Sequence, residues 1–543
     1  MPHRCLEIQE ILLIIGRELR EISLRSLANF ALTSSVVCEA ALDALWEEQY
    51  SLVPILKLFP ECHVRARTMA PPLLIFGTGQ ALEGVVARKS WVHAQTYARR
   101  VKYLEFEGCD GGQLSYVYGR PRRTGYTIAM DSLGGLLASA QGEPLFPRLR
   151  ELDCIQPAEL YPELLLNMPT VFVPTLRELC IAIGNSEEHI ALVRSLPGLC
   201  PDLTHLVLNC AEGLQAEWSD TLQDVILGWS SLVTIRFPDS RAASLAHLGQ
   251  CTTLERMTIT LNDNILADDT VSPVAFETIL EYFAVEASDP TLVERFLQLI
   301  SVVPLRLRAF DIQCDEDARM GAYDVRQRNL ARIASALDPS IVEEIVYYQE
   351  GGLNESWGAV PPSALLQFTA FPRLTHLALD CWIDVTDNDL ATIAGALPEL
   401  ESFSLDVHAE YDEDLPRETR TTLAGLVPFA HHCQSLMRLC VRLDATEIPA
   451  VSDAPEAEPK IHHPVRMYFA DSDLEDPVAV AAYLLRIFPN GCSVARRPPS
   501  GGTFSPYRDT FDDDEQYNVN TVGNWPAGRW SEVYNELLRL QQL

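Results

Sequence analysis

The chain has 543 residues, of which 47% are hydrophobic, and is therefore long enough to bury a large continuous core. Its 42 basic and 75 acidic residues leave a formal net charge of −33, which argues against binding to nucleic-acid phosphates, because such binding depends on a basic surface. The charge favours a basic partner by steering its approach, although its simpler effect is to keep a leucine-rich surface soluble.

The beginning of the chain predicts three short helices. In the first, apolar side chains recur at the i, i+3, i+4 and i+7 spacing of one helix face: Ile8, Ile11, Leu12, Ile15 and Leu19. Similar patterns follow over residues 24–32 and 37–46. Three such short helices are too small to bury all of these side chains among themselves, so we expect an apolar face to be left for a partner.

The first and last of these helices resemble a known motif. Residues 6–12 (Leu-Glu-Ile-Gln-Glu-Ile-Leu) and 41–46 (Ala-Leu-Asp-Ala-Leu-Trp) are similar to the divergent F-box of fungal proteins, in which Leu-x-Ile-Pro-Glu-Ile-Leu leads to Ala-Leu-x-x-Leu-Trp. Two positions depart from that pattern, because Gln9 replaces a proline and Gly16 replaces a bulky apolar residue. We expect Gly16 to reduce the apolar area of the docking surface.

The resemblance implies a binding role for this segment. An F-box docks on a small Skp-type adaptor and, through that adaptor, on a cullin. The residues that match the docking motif are Leu6, Ile8, Ile11, Leu12, Ile15, Leu19, Leu27, Ala31, Leu45 and Trp46. An alternative is that the three helices are a cap packed on the next domain, as short helices often are on repeat proteins, with no outside partner.

Most of the remaining chain repeats a Leu-x-x-Leu-x-Leu-like pattern. The repeats begin at Leu149, Leu176, Leu203, Leu232, Leu254, Leu307, Leu374, Leu400 and Leu436. The first five starts are 27, 27, 29 and 22 residues apart, near the range of about 20–29 residues that is typical of leucine-rich repeats. Each repeat predicts one strand, with weaker strand patterns at residues 101–106 and 342–347. Residues 280–299 predict an additional helix.

Helical patterns lie between these strands, for example over residues 190–196, 219–227 and 390–397. A strand that is followed by a helix and a further parallel strand buries apolar side chains on both faces of a curved sheet. The predicted fold is therefore α/β. It comprises an N-terminal three-helix F-box-like unit and an irregular leucine-rich-repeat solenoid, or horseshoe, with parallel strands on its concave side.

Composition and repeat spacing predict four segments. Residues 1–60 form the F-box-like helical domain, and residues 61–443 form the leucine-rich-repeat solenoid. Residues 444–464 are rich in proline, glutamate and alanine and predict a flexible linker. Residues 465–543 predict a terminal repeat, an acidic loop and a capping helix whose apolar face carries Trp530, Val533, Leu537 and Leu540.

Side chains that flank the inward leucines of a repeat strand face the concave surface. We therefore expect a protein target to contact residues from the set His205, Asn209, Arg236, Arg256, Thr258, His376, Asp380, Asp406, Arg438 and Arg442. Arg236 and Arg256 lie in consecutive repeats, which predicts that a phosphorylated or acidic target segment binds near them, because guanidinium groups bind oxyanions well.

The sequence contains neither a Gly-x-Ser-x-Gly elbow nor a His-Glu-x-x-His helix, which are two common signatures of hydrolytic enzymes. Its 14 cysteines include no Cys-x-x-Cys pair. Cys210, Cys314 and Cys381 instead follow repeat strands, at a position where a small residue packs inward. We therefore expect no enzymatic activity, no metal site and no cofactor.

Together, the F-box-like helices and the repeat array are similar to the substrate receptor of a Skp-cullin-F-box ubiquitin ligase. That resemblance implies that the helices bind the adaptor and that the repeats present an unknown protein target for ubiquitin-dependent degradation. Two alternatives are a leucine-rich-repeat scaffold without a ligase role and an F-box protein that acts with the adaptor but without a cullin. The chain begins without a signal-peptide pattern and lacks an apolar run of about 18 residues, so we expect a cytoplasmic or nuclear protein that does not contact a membrane.

Overall fold

The computed structural model divides the chain into two compact units, Met1–Asp239 and Ser240–Leu543. The division lies inside the predicted repeat array. The residues that the structure describes are 8–60, 62–65, 73–76, 88–105, 127–128, 143–154, 170–184, 186–210, 216–238, 242–261, 276, 279–300, 303–314, 322–349, 360–379, 381, 383–405, 419–449, 460–469, 472–495 and 529–542.

The first unit begins with three helices and continues with alternating strands and helices. The described helices are α1 (Gln9–Ile22), α2 (Leu24–Ala31), α3 (Ser35–Trp46), α4 (Val53–Leu56), α5 (Arg88–Ala98), α6 (Glu187–Leu199) and α7 (Ala216–Ile226). The described strands are β1 (Glu48–Gln49), β2 (Cys62–Arg65), β3 (Leu73–Phe76), β4 (Tyr103–Glu105), β5 (Thr127–Ile128), β6 (Glu151–Cys154), β7 (Glu178–Ile183), β8 (His205–Cys210) and β9 (Thr234–Pro238).

Strand pairing in the first unit follows chain order. Six strands form parallel pairs, each with the next one in the order β1, β4, β6, β7, β8 and β9. β2 pairs antiparallel with β3, and β3 pairs parallel with β5, which gives a second small sheet that the leucine pattern does not predict. Parallel neighbours in chain order are the arrangement expected when each strand is followed by a crossover to the next one.

The predicted three-helix unit is present at the start of the first unit. Ser23 and Ser34 have extended backbones, and their hydroxyls accept hydrogen bonds from the Ser26 and Val37 amides, so they cap α2 and α3. The core of the three helices consists of Leu12, Leu27, Ala31, Val37, Ala40, Ala41 and Ala44. The small alanines of α3 allow α1 and α2 to approach it closely.

The structure corrects the interpretation of Gly16. This residue is buried in α1, and a Cβ atom placed on it would lie 2.9 Å from the Cβ of Ala44. Its hydrogen side chain therefore permits close packing of α1 on α3, and the position belongs to the core of the unit instead of its docking surface.

The second unit also alternates strands with helices. Its described helices are α8 (Ala242–Gln250), α9 (Pro290–Ile300), α10 (Ala322–Ala336), α11 (Pro362–Leu366), α12 (Asp387–Ala396), α13 (Val427–His432), α14 (Pro477–Ile487) and α15 (Arg529–Gln541). Its described strands are β10 (Arg256–Leu261), β11 (Leu280–Ala287), β12 (Leu307–Cys314), β13 (Glu344–Gln349), β14 (His376–Leu379), β15 (Ser402–Leu405), β16 (Arg438–Cys440), β17 (Val465–Tyr468) and β18 (Cys492–Ala495). All nine pair in parallel and in chain order.

The predicted repeat strands are confirmed in both units. Every repeat that begins at Leu149, Leu176, Leu203, Leu232, Leu254, Leu307, Leu374, Leu400 or Leu436 coincides with a strand. The apolar residues of these repeats are at most 3% exposed, because they point between the strands and the helices that cover them. The weaker patterns correspond to β4 and β13.

The additional helix predicted over residues 280–299 is wrong in its first half. Leu280–Ala287 forms β11, which pairs with both β10 and β12, and only Pro290–Ile300 is helical. Tyr282 is buried on one face of this strand, and Phe283 and Val285 are buried on the other face. A strand that is covered on both faces shows a continuous apolar run without the alternation that usually reveals a strand.

The flanks of the predicted linker are packed. Ala445 is fully buried and its amide donates to the carbonyl of Asp473, while the amide of Lys460 donates to the carbonyl of Ala430. Residues 450–459 lie outside the described residues, as does the acidic loop of residues 512–515.

The last helix, α15, packs on α14 and on β18. Val533 and Leu537 are buried on its inner face, and the ring of Trp530 lies 4.7 Å from that of Phe469. The side-chain amide of Gln541 donates to the backbone carbonyl of Cys492 at 2.7 Å, so the helix also satisfies a hydrogen-bond acceptor of strand β18. Among the described residues, no helix combines the length and apolarity that a membrane crossing requires.

Candidate protein-binding surfaces

Helix α1 has a buried apolar side and an exposed one. Leu12 and Gly16 are buried against α2 and α3, and the partly buried Leu19 packs on the same core. Next to this buried side lies an isoleucine face, which is defined here as Ile8, Ile11, Ile14, Ile15 and Ile22. Ile14 is 57% exposed and Ile22 is 76% exposed, so this face is not covered by the helices of its own unit.

The predicted adaptor-binding residues fall into three groups in the structure. Leu12, Leu27 and Ala31 are buried and form the core of the three helices. Ile8 is exposed and Ile11, Ile15, Leu19, Leu45 and Trp46 are partly exposed. Leu6 lies outside the described residues.

Sequence reasoning missed Ile14 and Ile22, which extend the isoleucine face. Both follow the helical period of Ile11 and Ile15, so a complete projection of α1 would have included them. Further exposed apolar side chains occur on or next to α2 and at the start of α3, namely Leu24, Leu32 and Val36. The three-helix unit therefore exposes apolar side chains in addition to those that are buried in its core.

Two groups of ion pairs attach the three-helix unit to the sheet of the first unit. The carboxylate of Glu47 accepts hydrogen bonds from Arg17 of α1 at 2.6 and 2.7 Å and from Lys102, next to β4, at 2.7 Å. Burial by itself would raise the pKa of Glu47, but these hydrogen bonds outweigh it and lower the pKa to about 2. The buried guanidinium of Arg100 pairs with Glu39 and Asp43 of α3.

An aromatic contact accompanies these ion pairs. The ring of Trp46, at the end of α3, lies 4.9 Å from the ring of Tyr97 on α5. Part of the Trp46 side chain therefore already packs within its own unit. The isoleucine face of α1 takes no part in this aromatic contact.

The strand register of the first unit aligns acidic side chains on one face of the sheet. Glu48 of β1 is aligned with Tyr103 of β4, which is followed by Glu151 of β6, Glu178 of β7 and His205 of β8. A second row, two residues further along each strand, contains Glu105, Asp153, Cys180, Val207 and Arg236. The acidic strand face is defined here as Glu48, Glu105, Glu151, Asp153 and Glu178.

Sequence reasoning missed the acidic strand face because the predicted target surface starts only at the repeat of Leu203. The same rule, applied to the repeats of Leu149 and Leu176, selects Glu151, Asp153 and Glu178. Glu48 belongs to the two-residue strand β1, which carries no repeat signature.

Three predicted target-contact residues lie on the strand face of the first unit. His205 is partly exposed, and its Nδ1 atom lies 3.8 Å from the carboxylate of Glu178. The amide of Asn209 donates to the sulfur of Cys180 at 3.8 Å. Arg236 is exposed on β9.

The other described members of the predicted set lie on the second unit. Arg256, Thr258, Arg438 and Arg442 are partly exposed, whereas His376 is only 9% exposed. Burial, followed by the charge of Arg438, lowers the pKa of His376 to about 4, so this imidazole is neutral at pH 7. Asp380 and Asp406 lie outside the described residues.

Arg236 and Arg256, for which a common oxyanion site is predicted, belong to different compact units. That site therefore stays a prediction. On the second unit, Arg438 of β16 is aligned with Arg466 of β17, an arginine pair that the sequence analysis did not single out.

Two of the three cysteines predicted to pack inward can be compared with the structure. Cys314 and Cys381 are buried, and the side chain of Cys210 lies outside the described set. Burial raises the pKa of the thiols of Cys200, Cys433, Cys440 and Cys492 to about 12. Within the described ranges, no group of three or more histidine, cysteine, aspartate or glutamate side chains is arranged to hold a metal ion.

Comparison with known proteins finds similarity to solved structures. No protein-family profile matches the chain, and no curated protein matches it. Among solved structures, the chain is similar to the crystal structure of the Rad7 and Elc1 complex in yeast, with 15% sequence identity and a TM-score of 0.29. The match covers 60% of this chain and 81% of that chain, and a similarity of this size carries no argument about function.

Proposed function

We propose that this protein is the substrate-recognition subunit of a Skp-cullin-F-box type ubiquitin ligase. In this role α1–α3 bind a Skp-type adaptor, and the strand faces of the repeats bind a protein target. The subunit does no covalent chemistry; it increases the local concentration of the target at the site of ubiquitin transfer. The F-box resemblance of residues 6–46 motivates the choice of adaptor.

The observation that carries the proposal is the exposed isoleucine face. The three-helix unit already has a complete core made of Leu12, Leu27 and the α3 alanines, so folding of the unit does not require Ile14 or Ile22. Burial of one such side chain at an interface contributes about 1.5–3 kcal/mol, which makes two or three of them sufficient to anchor a partner.

The test is a pull-down of the full-length protein with a purified Skp-type adaptor. We expect the double substitution Ile14→Ser and Ile22→Ser to reduce adaptor binding by about 100-fold or more, because two anchoring side chains are lost. The matched control is Val478→Ser on α14, since Val478 is also 57% exposed but lies in the other compact unit. Equal adaptor binding by the isoleucine variant and the wild type would contradict the proposal.

A second candidate function is a protein-interaction scaffold without a ligase role, in which α1–α3 only cap the repeats. The ion pairs of Glu47 and Arg100, which fix these helices to the first strands, favour that candidate. Affinity purification of the full chain with mass spectrometry separates the two candidates. Recovery of a Skp-type adaptor together with a cullin supports the ligase receptor, whereas recovery of other proteins without either one supports the scaffold.

A further inference from the structure

The acidic strand face of the first unit spans four strands. Glu48, Glu105, Glu151 and Glu178 come from β1, β4, β6 and β7, which are consecutive neighbours in the sheet. Neighbouring strands are about 4.8 Å apart, so the face extends on the order of 15 Å across the sheet. Carboxylates distributed over such a distance, some partly exposed and Glu105 buried, exceed what a single bound ion requires.

Glu48, at one end of this face, is paired with Arg20 at 2.6 Å, whereas the carboxylates in the middle of the face repel one another. Glu151 and Glu178 are directly aligned on neighbouring strands, a position at which like charges are destabilising. Burial raises the pKa of Glu151, the charges of Glu178 and Glu48 raise it further, and the nearby charge of Arg150 lowers it by less than these effects together. A cationic ligand would relieve this repulsion.

Asp153 provides an independent observation at the same place. It is 6% exposed, and its Oδ1 atom has no hydrogen-bond partner within the described part of the chain. The residue is aligned with Glu105 on one side and Cys180 on the other, and it lies on the same face of β6 as Glu151. A buried carboxylate oxygen without a donor is unfavourable, and a donor from a bound partner would satisfy it.

We propose that the acidic strand face binds an extended lysine- and arginine-rich segment of a protein. Alternate side chains of an extended segment are about 6.6–6.8 Å apart, so several cationic side chains can each reach a carboxylate within the length of the face. The sign of the face excludes a phosphate backbone. Since the proposal names the chemistry of the target, it rests on the proposed role of the protein as a substrate receptor.

The test measures binding of a fluorescein-labelled peptide of about twelve residues, in which lysine alternates with serine, to the full-length protein by fluorescence anisotropy. Peptides with glutamine or glutamate in place of lysine serve as comparisons. We expect binding of the lysine peptide alone, and we expect the double substitution Glu151→Gln and Glu178→Gln to weaken that binding about tenfold.

The matched control is the double substitution Glu187→Gln and Glu188→Gln. These residues are exposed in the first turn of α6, in the same compact unit, and the control changes the net charge by the same amount. Unchanged peptide binding in this control supports a local site. A lack of binding to the wild type, equal binding of all three peptides, or equal weakening by both variant pairs would overturn the proposal.

The outcome can be distinguished from a failure of the proposed function. Glu151 and Glu178 lie on strands of the sheet, so we expect their substitution to leave adaptor binding unchanged. If the isoleucine variant keeps its adaptor binding while the lysine peptide still binds wild type selectively, the ligase role fails and the basic-segment site stands.

Discussion

At the scale of single residues, the contacts of Gly16 and Glu47 define the three-helix unit. Gly16 allows α1 to approach Ala44 of α3, and Glu47 joins Arg17 of α1 to Lys102 of the sheet. From the sequence alone, Gly16 is a departure from the F-box pattern and Glu47 is an ordinary surface charge. Their partners cannot be identified there, because Ala44 is 28 positions from Gly16 and Lys102 is 55 positions from Glu47.

The substitution Gly16→Ala tests the close approach of α1 and α3. Alanine favours a helix over glycine, but its Cβ would be too close to Ala44, so we expect a net destabilisation of about 1 kcal/mol. Gly395→Ala in α12 is the control, because nothing lies within 4 Å of the added Cβ there, and it should be neutral or stabilising. Chemical denaturation followed by circular dichroism measures both. A Gly16→Ala variant that is as stable as the wild type would contradict the packing.

Replacement of Glu47 by glutamine tests the ion pairs through their pH dependence. The folded pKa of Glu47, about 2, is below its unfolded value, so its contribution to stability is present above that unfolded value and is lost as the pH falls toward 2. We expect Glu47→Gln to lower the free energy of unfolding at pH 7 on the order of 2 kcal/mol.

Unfolding of the wild type and of Glu47→Gln should be compared between pH 7 and pH 3. The difference between the two proteins should shrink as the pH falls below about 4.5. A difference that stays constant over the whole range would mean that the carboxylate does not form these ion pairs in solution.

At the scale of elements, the helices and strands differ in how clearly their sequences report them. The repeat strands have one buried face defined by leucines at fixed spacing, whereas β11 is buried on both faces and resembles a buried helix in sequence. The last helix, α15, is recognisable because Val533 and Leu537 are one helical turn apart.

Two adjacent residues of α15 provide a test of its packing. Leu537 is 1% exposed and Leu538 is 41% exposed. We expect Leu537→Ala to destabilise the protein by about 2–5 kcal/mol through loss of buried contacts and creation of a cavity, and Leu538→Ala to change stability by less than about 0.5 kcal/mol. Thermal unfolding measured by calorimetry gives the comparison. Similar effects of the two substitutions would place the helix in a different orientation.

At the scale of the whole molecule, a small part of the excess of acidic residues lies together on one strand face of the first unit. Five of the acidic residues form the acidic strand face, while the proposed adaptor surface on α1 is largely apolar. The two surfaces therefore depend on different interactions, and salt should affect them differently.

We expect a rise in salt concentration to weaken binding of the lysine peptide strongly and binding of the adaptor only slightly. Charges exposed to solvent are screened within about 10 Å at 0.1 M ionic strength, whereas burial of apolar surface does not depend on that screening. Parallel titrations of the full-length protein with the peptide and with the adaptor measure the two dependences. Equal salt dependences would contradict the assignment of electrostatic binding to the acidic strand face and apolar binding to α1.

The sequence by itself determined the repeat strands and the three N-terminal helices. Leucine spacing and helical periodicity describe burial along the axis of one element, and they identified β6, β7 and α1 without any knowledge of neighbours. They could not assign the two apolar sides of α1, because Leu12 and Ile15 look equivalent in a periodic pattern and differ only in what packs against them.

Only the tertiary structure decided which α1 face stays exposed and which carboxylates are aligned. Glu48, Glu151 and Glu178 are far apart in the chain, and their alignment follows from the register of strands that are joined by segments of unequal length. Register is a property of pairs of strands and of the packing between them, so a pattern within any one strand contains no information about it.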